Sequence, residues 1–352
     1  MAKTVISALY PPLVDPTRTP LAYGDRAVPR LNRELNDNTL LTRQRALMSL
    51  CDYLHDPEHI AEVLNSPIPE SLKNLLTDSD LTVRQKATEC LFVIAGHAIG
   101  RDSFLEKEII IPVSKLFDDK EDIARKNAHK AIEMISETPD GAEGIVKSNL
   151  IPKLVGKLST EHDEIRELIL DTLHFCMFFN TAEALSNKDM QVFQEVLAAE
   201  GMQVFTELLS HASCVIRAKA ARDIMDLSVP LAGKNKAVEV KCMPLLVKLL
   251  KDSESEVRAK AALAIMTITI TTDGKYDALD CEAIEPLVEL VDDPTSEVRA
   301  NAIKALTCLC EAPKGRKILL NHVDKIRERT FDEIPAVVKV AEKAVKVITW
   351  KP

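Results

Sequence analysis

An arginine recurs along this chain at a nearly fixed interval. It stands at Arg43, Arg84, Arg125, Arg166, Arg217, Arg258 and Arg299, with spacings of 41, 41, 41, 51, 41 and 41 residues. Other positions keep the same beat. Three residues later come Ala46, Ala87, Ala128, Ala220, Ala261 and Ala302, with Ile169 as the exception. Six residues earlier come Asp37, Asp78, Asp119, Asp252 and Asp293, and sixteen later Gly100, Gly141, Gly233, Gly274 and Gly315. Such a chain grows by adding units that bury their apolar faces on their neighbours, so 352 residues need no single enlarging core.

Each unit reads as helical. LVKLL and VRAKAALAI space apolar residues three and four apart, which makes one face of an amphipathic helix. KYDALDCE, AIEPLVELV and EVRAKAALAIMTIT give a short, a middle and a long helix per unit. Pro152, Pro244 and Pro286 fall near the start of the middle helix, where a missing N–H costs nothing. Ser253 and Glu256 have the spacing of a capping box, and the phased glycine suits a left-handed exit from the long helix. Alanine at its phase lets neighbouring helices approach closely.

Three helices per unit, the period, and the residues LVKLLKD and VRAKAALAI resemble the armadillo repeat, with the HEAT repeat as near neighbour. The resemblance implies an all-α, right-handed superhelical solenoid of about seven to eight repeats. Seven units run over residues 26–323, and residues 324–352, with Ala341 where the next arginine is due, form a degenerate capping repeat. Residues 1–25 carry Pro11, Pro12, Pro16 and Pro20 and read as an extended arm. The fourth unit is ten residues too long, its excess falling within about 178–200, as a lengthened helix or ordered loop that serves docking.

Composition narrows the function. The chain is 46% hydrophobic and carries a net charge of −9, which fits a folded chain and argues against a general nucleic-acid or anionic-membrane surface. No stretch reaches the ~18 consecutive apolar residues of a membrane span, and the amino terminus does not read as a signal peptide. Eight scattered cysteines without a CxxC pair point to a reducing, intracellular setting.

Catalytic chemistry is hard to find. Asp52, His55, Asp56, Glu58 and His59 resemble a metal cluster, but Pro57 breaks the helix that the i,i+4 histidines would need. A solvated helix end is the plainer reading. Cys308 and Cys310 are two apart, point to different sides of a helix, and read as packing residues. No Gly-rich phosphate loop is present. The expectation is a chain that is not an enzyme and uses no cofactor, metal or small-molecule substrate.

Binding surfaces are the better candidates. Arg101, Lys234, Lys275 and Arg316 each follow a phased glycine. Stacked, they form either a basic edge for an acidic partner or a set of cations compensating helix dipoles. Nine residues after the arginine, on the long helix that lines the groove, stand Asp52, Val93, Met134, Phe175, Asp226, Thr267 and Cys308. Armadillo proteins that bind nuclear-import signals or cadherin-like tails carry an asparagine ladder there, and this chain has none. Phe175, Phe178 and Phe179 gather beside the insertion, either as an aromatic anchor for a partner or as filling for an irregular core.

Beyond the generic repeat, DPTRTPLAYGDRAVPRLNRELNDNTLLTRQRALMSLCDYLHDPE, TTDGKYDALDCEAI, KALTCLCEAPKGRKIL and the final Lys351-Pro352 closely resemble the armadillo-repeat radial-spoke-head proteins of motile cilia and flagella. The resemblance covers nearly the whole chain and is weakest between about residues 175 and 205. It implies a non-catalytic subunit of the axonemal radial spoke, in the cytoplasm and cytoskeleton of the cilium. Its groove would hold other radial-spoke proteins, and its arm would gain order on docking. The alternative is a soluble armadillo adaptor for nuclear transport or ubiquitin transfer.

Overall fold

A computed structural model describes residues 27–181 and 190–350. The Pro-rich arm and the insertion residues 182–189 lie outside the described residues, as do Lys351 and Pro352. Every described element is helical, and among the described residues there is no strand. Eight long helices carry the repeat: α1 (Leu40–Leu54), α2 (Leu81–Ala95), α3 (Asp122–Ser136), α4 (Asp163–Phe179), α5 (Cys214–Leu227), α6 (Ser255–Ile268), α7 (Ser296–Leu309) and α8 (Pro335–Ile348). A short and a middle helix precede each of α2 to α8, as Thr272–Asp280 and Ile284–Glu289 precede α7. The three-helix unit is therefore as the periodicity predicts. The eighth unit is more complete than a degenerate cap, since it opens at Pro313 with its own short helix, Pro313–Leu319.

The chain divides into two compact units, Met1–Met134 and Ile135–Pro352. In the first, α1 packs beside α2. In the second, α4, α5, α6, α7 and α8 pack side by side in sequence order. The alanine phase explains how they fit. Ala46, Ala87, Ala128, Ala220, Ala261 and Ala302 are all buried, as is Ile169 in the one repeat that departs from alanine. A methyl group at the crossing lets helix axes approach while larger neighbours such as Leu91, Ile224 and Ile265 close the core around it.

The phased glycines do not end the long helices in a left-handed turn. They lie inside the following short helix, which crosses against the last turn of the long one. A Cβ on Gly233 would fall 1.7 Å from the Leu227 carbonyl oxygen, and one on Gly274 would fall 2.2 Å from that of Ile268. The requirement is close backbone approach, with no demand on φ. Left-handed residues occur elsewhere on the same beat, at Glu108, Asn149, Glu200, Lys241 and Glu282, where the short helix turns into the middle one. Past that turn, Ile109 donates back to the Phe104 carbonyl (2.9 Å) and Ala283 to that of Ala278 (3.0 Å), so the helix ends stay hydrogen-bonded.

The recurrent arginine and aspartate make one repeated clasp. Arg84 Nε and NH2 grip both oxygens of Asp119 (2.6 and 3.1 Å), 35 residues on and one repeat away. Arg217 holds Asp252 in the same way (2.9 and 3.1 Å), as Arg299 holds Asp332 (2.9 Å each). Arg258 pairs with Asp293 (2.8 Å) and Arg43 with Asp78 (3.0 Å). The remaining guanidinium nitrogen, NH1, closes its own repeat's turn, as Arg258 does on the Asp252 carbonyl (2.8 Å). Each aspartate also accepts the N–H two residues on, Glu254 to Asp252 (3.0 Å) and Thr295 to Asp293 (2.8 Å). This bond, rather than a Ser253 and Glu256 capping box, organises the start of α6: its cap residue is Glu254, with no side-chain cap. His211 replaces the aspartate opposite Arg166, 3.4 Å from its NH1.

Clasp carboxylates are almost fully covered, with side-chain exposures of 5% for Asp119 and 3% for Asp332. Burial alone would push Asp119 up, but the Arg84 hydrogen bonds, the Glu121 N–H and the charges of Arg84 and Arg125 outweigh it and hold the carboxyl below its ordinary 3.8. The Arg299 hydrogen bonds do the same for Asp332. A carboxyl depressed in the folded chain stabilises it above the unfolded value and loses that contribution as pH falls through the native value. The clasp contribution to urea midpoints should therefore be constant above about pH 5 and be lost below about pH 4, and Asp119→Asn with Asp332→Asn should make the acid limb shallower.

Gly274→Ala should cost ~1–3 kcal/mol in urea unfolding, because the methyl group meets a helix backbone that has nowhere to move. Gly156→Ala is the control. No atom lies within 4 Å of a Cβ there, so it should be neutral or stabilise by up to about 1 kcal/mol.

Candidate functional site on the fourth and fifth long helices

Helix α4 has 17 residues where its neighbour α5 has 14, and its last turn reaches the insertion. Apolar Ile165, Ile169, Leu170, Leu173, Cys176 and Met177 bury one stripe of α4. The opposite side carries charge and aromatic rings. Asp171 on α4 takes Lys219 Nζ (2.6 Å) and Arg222 NH1 (2.9 Å) from α5. Arg222 also donates to the Leu170 carbonyl (3.1 Å) and to Asp223 Oδ1 (3.0 Å). One turn on, His174 Nδ1 lies 2.6 Å from Asp226 Oδ2. Asp223 is fully buried, and burial, joined by the charges of Asp226 and Asp171, pushes its carboxyl well above the usual range against the pull of Arg222.

The three phenylalanines continue this surface. Phe175 and Phe179 stack with ring centroids 6.4 Å apart, and Phe178 meets Phe179 edge-on at 5.3 Å. His174 lies 5.3 Å from Phe175 and 5.7 Å from Phe178. Phe175 and Phe179 are half-buried and Phe178 is 55% exposed, so the cluster is a ring-on-ring surface patch, not core filling. An exposed aromatic cluster of this kind suits an anchor for a partner.

Other groove positions go inward. Asp226 and Thr267 are buried, the latter with its hydroxyl donating to the Leu263 carbonyl (3.1 Å), and Asp52 on α1 is half-buried. The basic edge also resolves in favour of the helix ends. Arg101 donates to the Ala95 carbonyl (3.2 Å), Lys234 to Val229 (2.5 Å), Lys275 to Ile270 (3.0 Å) and Arg316 to Cys310 (3.2 Å). The acceptors sit at the end of the preceding long helix or within two residues past it, where carbonyls lack helical partners and the dipole is negative. Lys234 and Lys275 are buried, and Arg316 lies 5.6 Å from the Trp350 ring, so these cations do not form an exposed row for an acidic partner.

The His55 and His59 pair does not assemble. His59 stacks on Tyr53 (3.7 Å) with Nδ1 3.0 Å from the Tyr53 carbonyl, while Asp56 caps the next helix through the Glu58 N–H. Cys310 is buried and its thiol donates to the Thr307 carbonyl (3.1 Å), consistent with packing. Among the described residues the one group of three ligating side chains within reach of one another is His174, Asp223 and Asp226. Sequence reading saw only Asp226 of these. The signal available was their shared place in the repeat, eight, six and nine residues after Arg166 or Arg217.

Comparison with known proteins agrees with this architecture. A family model described as HEAT repeats matches residues 202–307, and one described as non-SMC mitotic condensation complex subunit 1 matches residues 43–203. Among solved structures, an engineered protein is similar with a TM-score of 0.65 and 21% identity over 93% of this chain and 89% of that one. A second engineered protein gives 0.62 and 22% over 68% and 96%. A designed armadillo repeat protein in complex with the peptide (KR)4 gives 0.60 and 18% over 67% and 98%. The fold is an all-α HEAT/armadillo-type solenoid. Such a repeat scaffold is suited to protein–protein interaction. Among the described residues no helix is long and apolar enough to cross a membrane.

Phe178→Ala should change stability by less than ~0.5 kcal/mol in thermal or urea melts, since its ring is mostly solvated. Asp226→Lys should instead destabilise by roughly 3 kcal/mol or more, because it sets a buried cation beside His174 and Arg222. A sequence-only view, with Asp226 on an open groove, expects no such loss.

Proposed function

We propose that this chain is a non-catalytic scaffold subunit of the axonemal radial spoke in motile cilia and flagella, where it joins other radial-spoke proteins through the α4–α5 surface. The observation that carries the reading is the resemblance of LLTRQRALMSLCD and its companion segments to radial-spoke-head proteins, in a chain whose fold is a repeat scaffold. A spoke needs stiff parts with side-facing interfaces, and α4 to α8 supply a continuous row of helices. The aromatic patch of Phe175, Phe178 and Phe179 is the anchor, and a segment of another spoke subunit is its partner. The match to the condensation-complex model spans residues 43–203 and is read as shared repeat architecture. That a designed armadillo relative is seen with a peptide supports the use of such a surface for extended chains.

The decisive experiment tags the full chain in a motile-ciliated cell and extracts membrane and soluble matrix with detergent. Retention on the axoneme at the regular spacing of the spokes is expected. Release into the soluble fraction, or accumulation in the nucleus, overturns the spoke reading in favour of a soluble adaptor for cargo or ubiquitin-pathway substrates. On the molecular side, Phe178→Ala should weaken capture of spoke subunits by roughly 30-fold, the ~2 kcal/mol of an interface hot spot, with an unchanged melting curve.

A further inference from the structure

The α4–α5 junction holds a constellation that partner docking does not use. A ring nitrogen of His174 and one carboxylate oxygen each of Asp223 and Asp226 lie within 4.8 Å of one another. Their side chains are 19%, 0% and 5% exposed, so the group sits at the floor of the surface, covered on its carboxylate side. Asp223 is held from behind: Arg222 takes its Oδ1 at 3.0 Å, and Arg222 is itself fixed by Asp171 and the Leu170 carbonyl. Asp223 Oδ2, buried, accepts no hydrogen bond. An oxygen lone pair buried beside a second carboxylate and an imidazole, with no donor to answer it, is an expensive arrangement for a fold that satisfies its buried polar groups elsewhere.

We infer that His174, Asp223 and Asp226 bind one divalent transition-metal ion between α4 and α5. The ion answers the Asp223 Oδ2 that Arg222, held on Asp223 Oδ1 and on Asp171, leaves without a partner. Ligand distances of about 2.0–2.2 Å require Asp226 to swing slightly from His174 Nδ1, so that a cation replaces their 2.6 Å hydrogen bond. One imidazole and two carboxylates favour zinc, manganese, iron(II) or cobalt over magnesium and calcium, which prefer all-oxygen shells. The orientation of Asp223 by Arg222 and Asp171 is the outer shell that such sites need. The partly exposed His174 edge leaves the remaining coordination positions for water or a partner side chain. The ion would tie α4 to α5 beside the phenylalanine patch, and it stands whether or not the partner is a spoke protein.

Cobalt(II) titration of the full, chelator-stripped chain tests this by visible absorption. Expected is one equivalent bound with d–d bands and no thiolate charge-transfer band, weakened at least about tenfold by His174→Gln and by Asp226→Asn. His174 is partly exposed, so its variant keeps the test readable through an unchanged circular-dichroism melt in chelator even if Asp226→Asn folds poorly. No saturable binding, undiminished binding by His174→Gln, or a thiolate band from the free cysteines would each overturn the site.

Discussion

One ion pair, repeated, sets the geometry of this protein. Arg84, Arg217, Arg258 and Arg299 each spend Nε and NH2 on an aspartate of the next repeat and NH1 on the turn of their own, so a single planar group measures the step between units. The aspartate carboxylate answers the arginine and the N–H that opens its own long helix, and its carbonyl receives the arginine of its own repeat. The guanidinium, the carboxylate, the turn N–H and the carbonyl are thereby satisfied together in a nearly dry turn. A lysine could not do this, because an ammonium is a point charge without the planar fork that addresses a carboxylate and a carbonyl together. Side-chain exposures of 12–16% for Arg84, Arg217, Arg258 and Arg299 place the pairs between surface and core, where geometry and desolvation both matter.

Where the clasp changes, the surface changes too. Arg166 faces His211 in place of an aspartate, and the repeat it belongs to has the longest of the long helices. There the link between successive long helices moves to the Asp171, Lys219, Arg222 and Asp223 network. That network does for α4 and α5 what the clasp does elsewhere, and it does so on the face that also carries His174 and three phenylalanines. A departure confined to one repeat is economical: the other units hold the scaffold while one is free to differ.

Legibility followed the range of the interaction. The helices, their number per unit and the buried alanines repeat so regularly that the pattern exposes them, whereas the arginine and aspartate share the beat without showing that they pair across repeats. The glycines were visible, but their cause was not: a glycine needed for φ and one needed for a carbonyl 1.7–2.2 Å from its absent Cβ look alike in a string of letters. The left-handed residues at Glu108, Asn149, Glu200, Lys241 and Glu282 were missed for the complementary reason, since no glycine marks them. Cations after the phased glycines read equally as an open edge or as helix-end partners, and only the position of the carbonyls decides for the latter.

The sequence by itself determined an all-α repeat, its period, the residues that face the core and the arginines that count the units. All of these follow from local periodicity and from chemistry that recurs at fixed spacing. Tertiary structure alone decided that Asp226 is buried against His174, that Phe178 stays in solvent, and that Asp223 carries an oxygen with no partner. Those facts depend on how α4 and α5 lie against each other across 52 residues of chain, and the helical period of either one contains no record of the other's rotation.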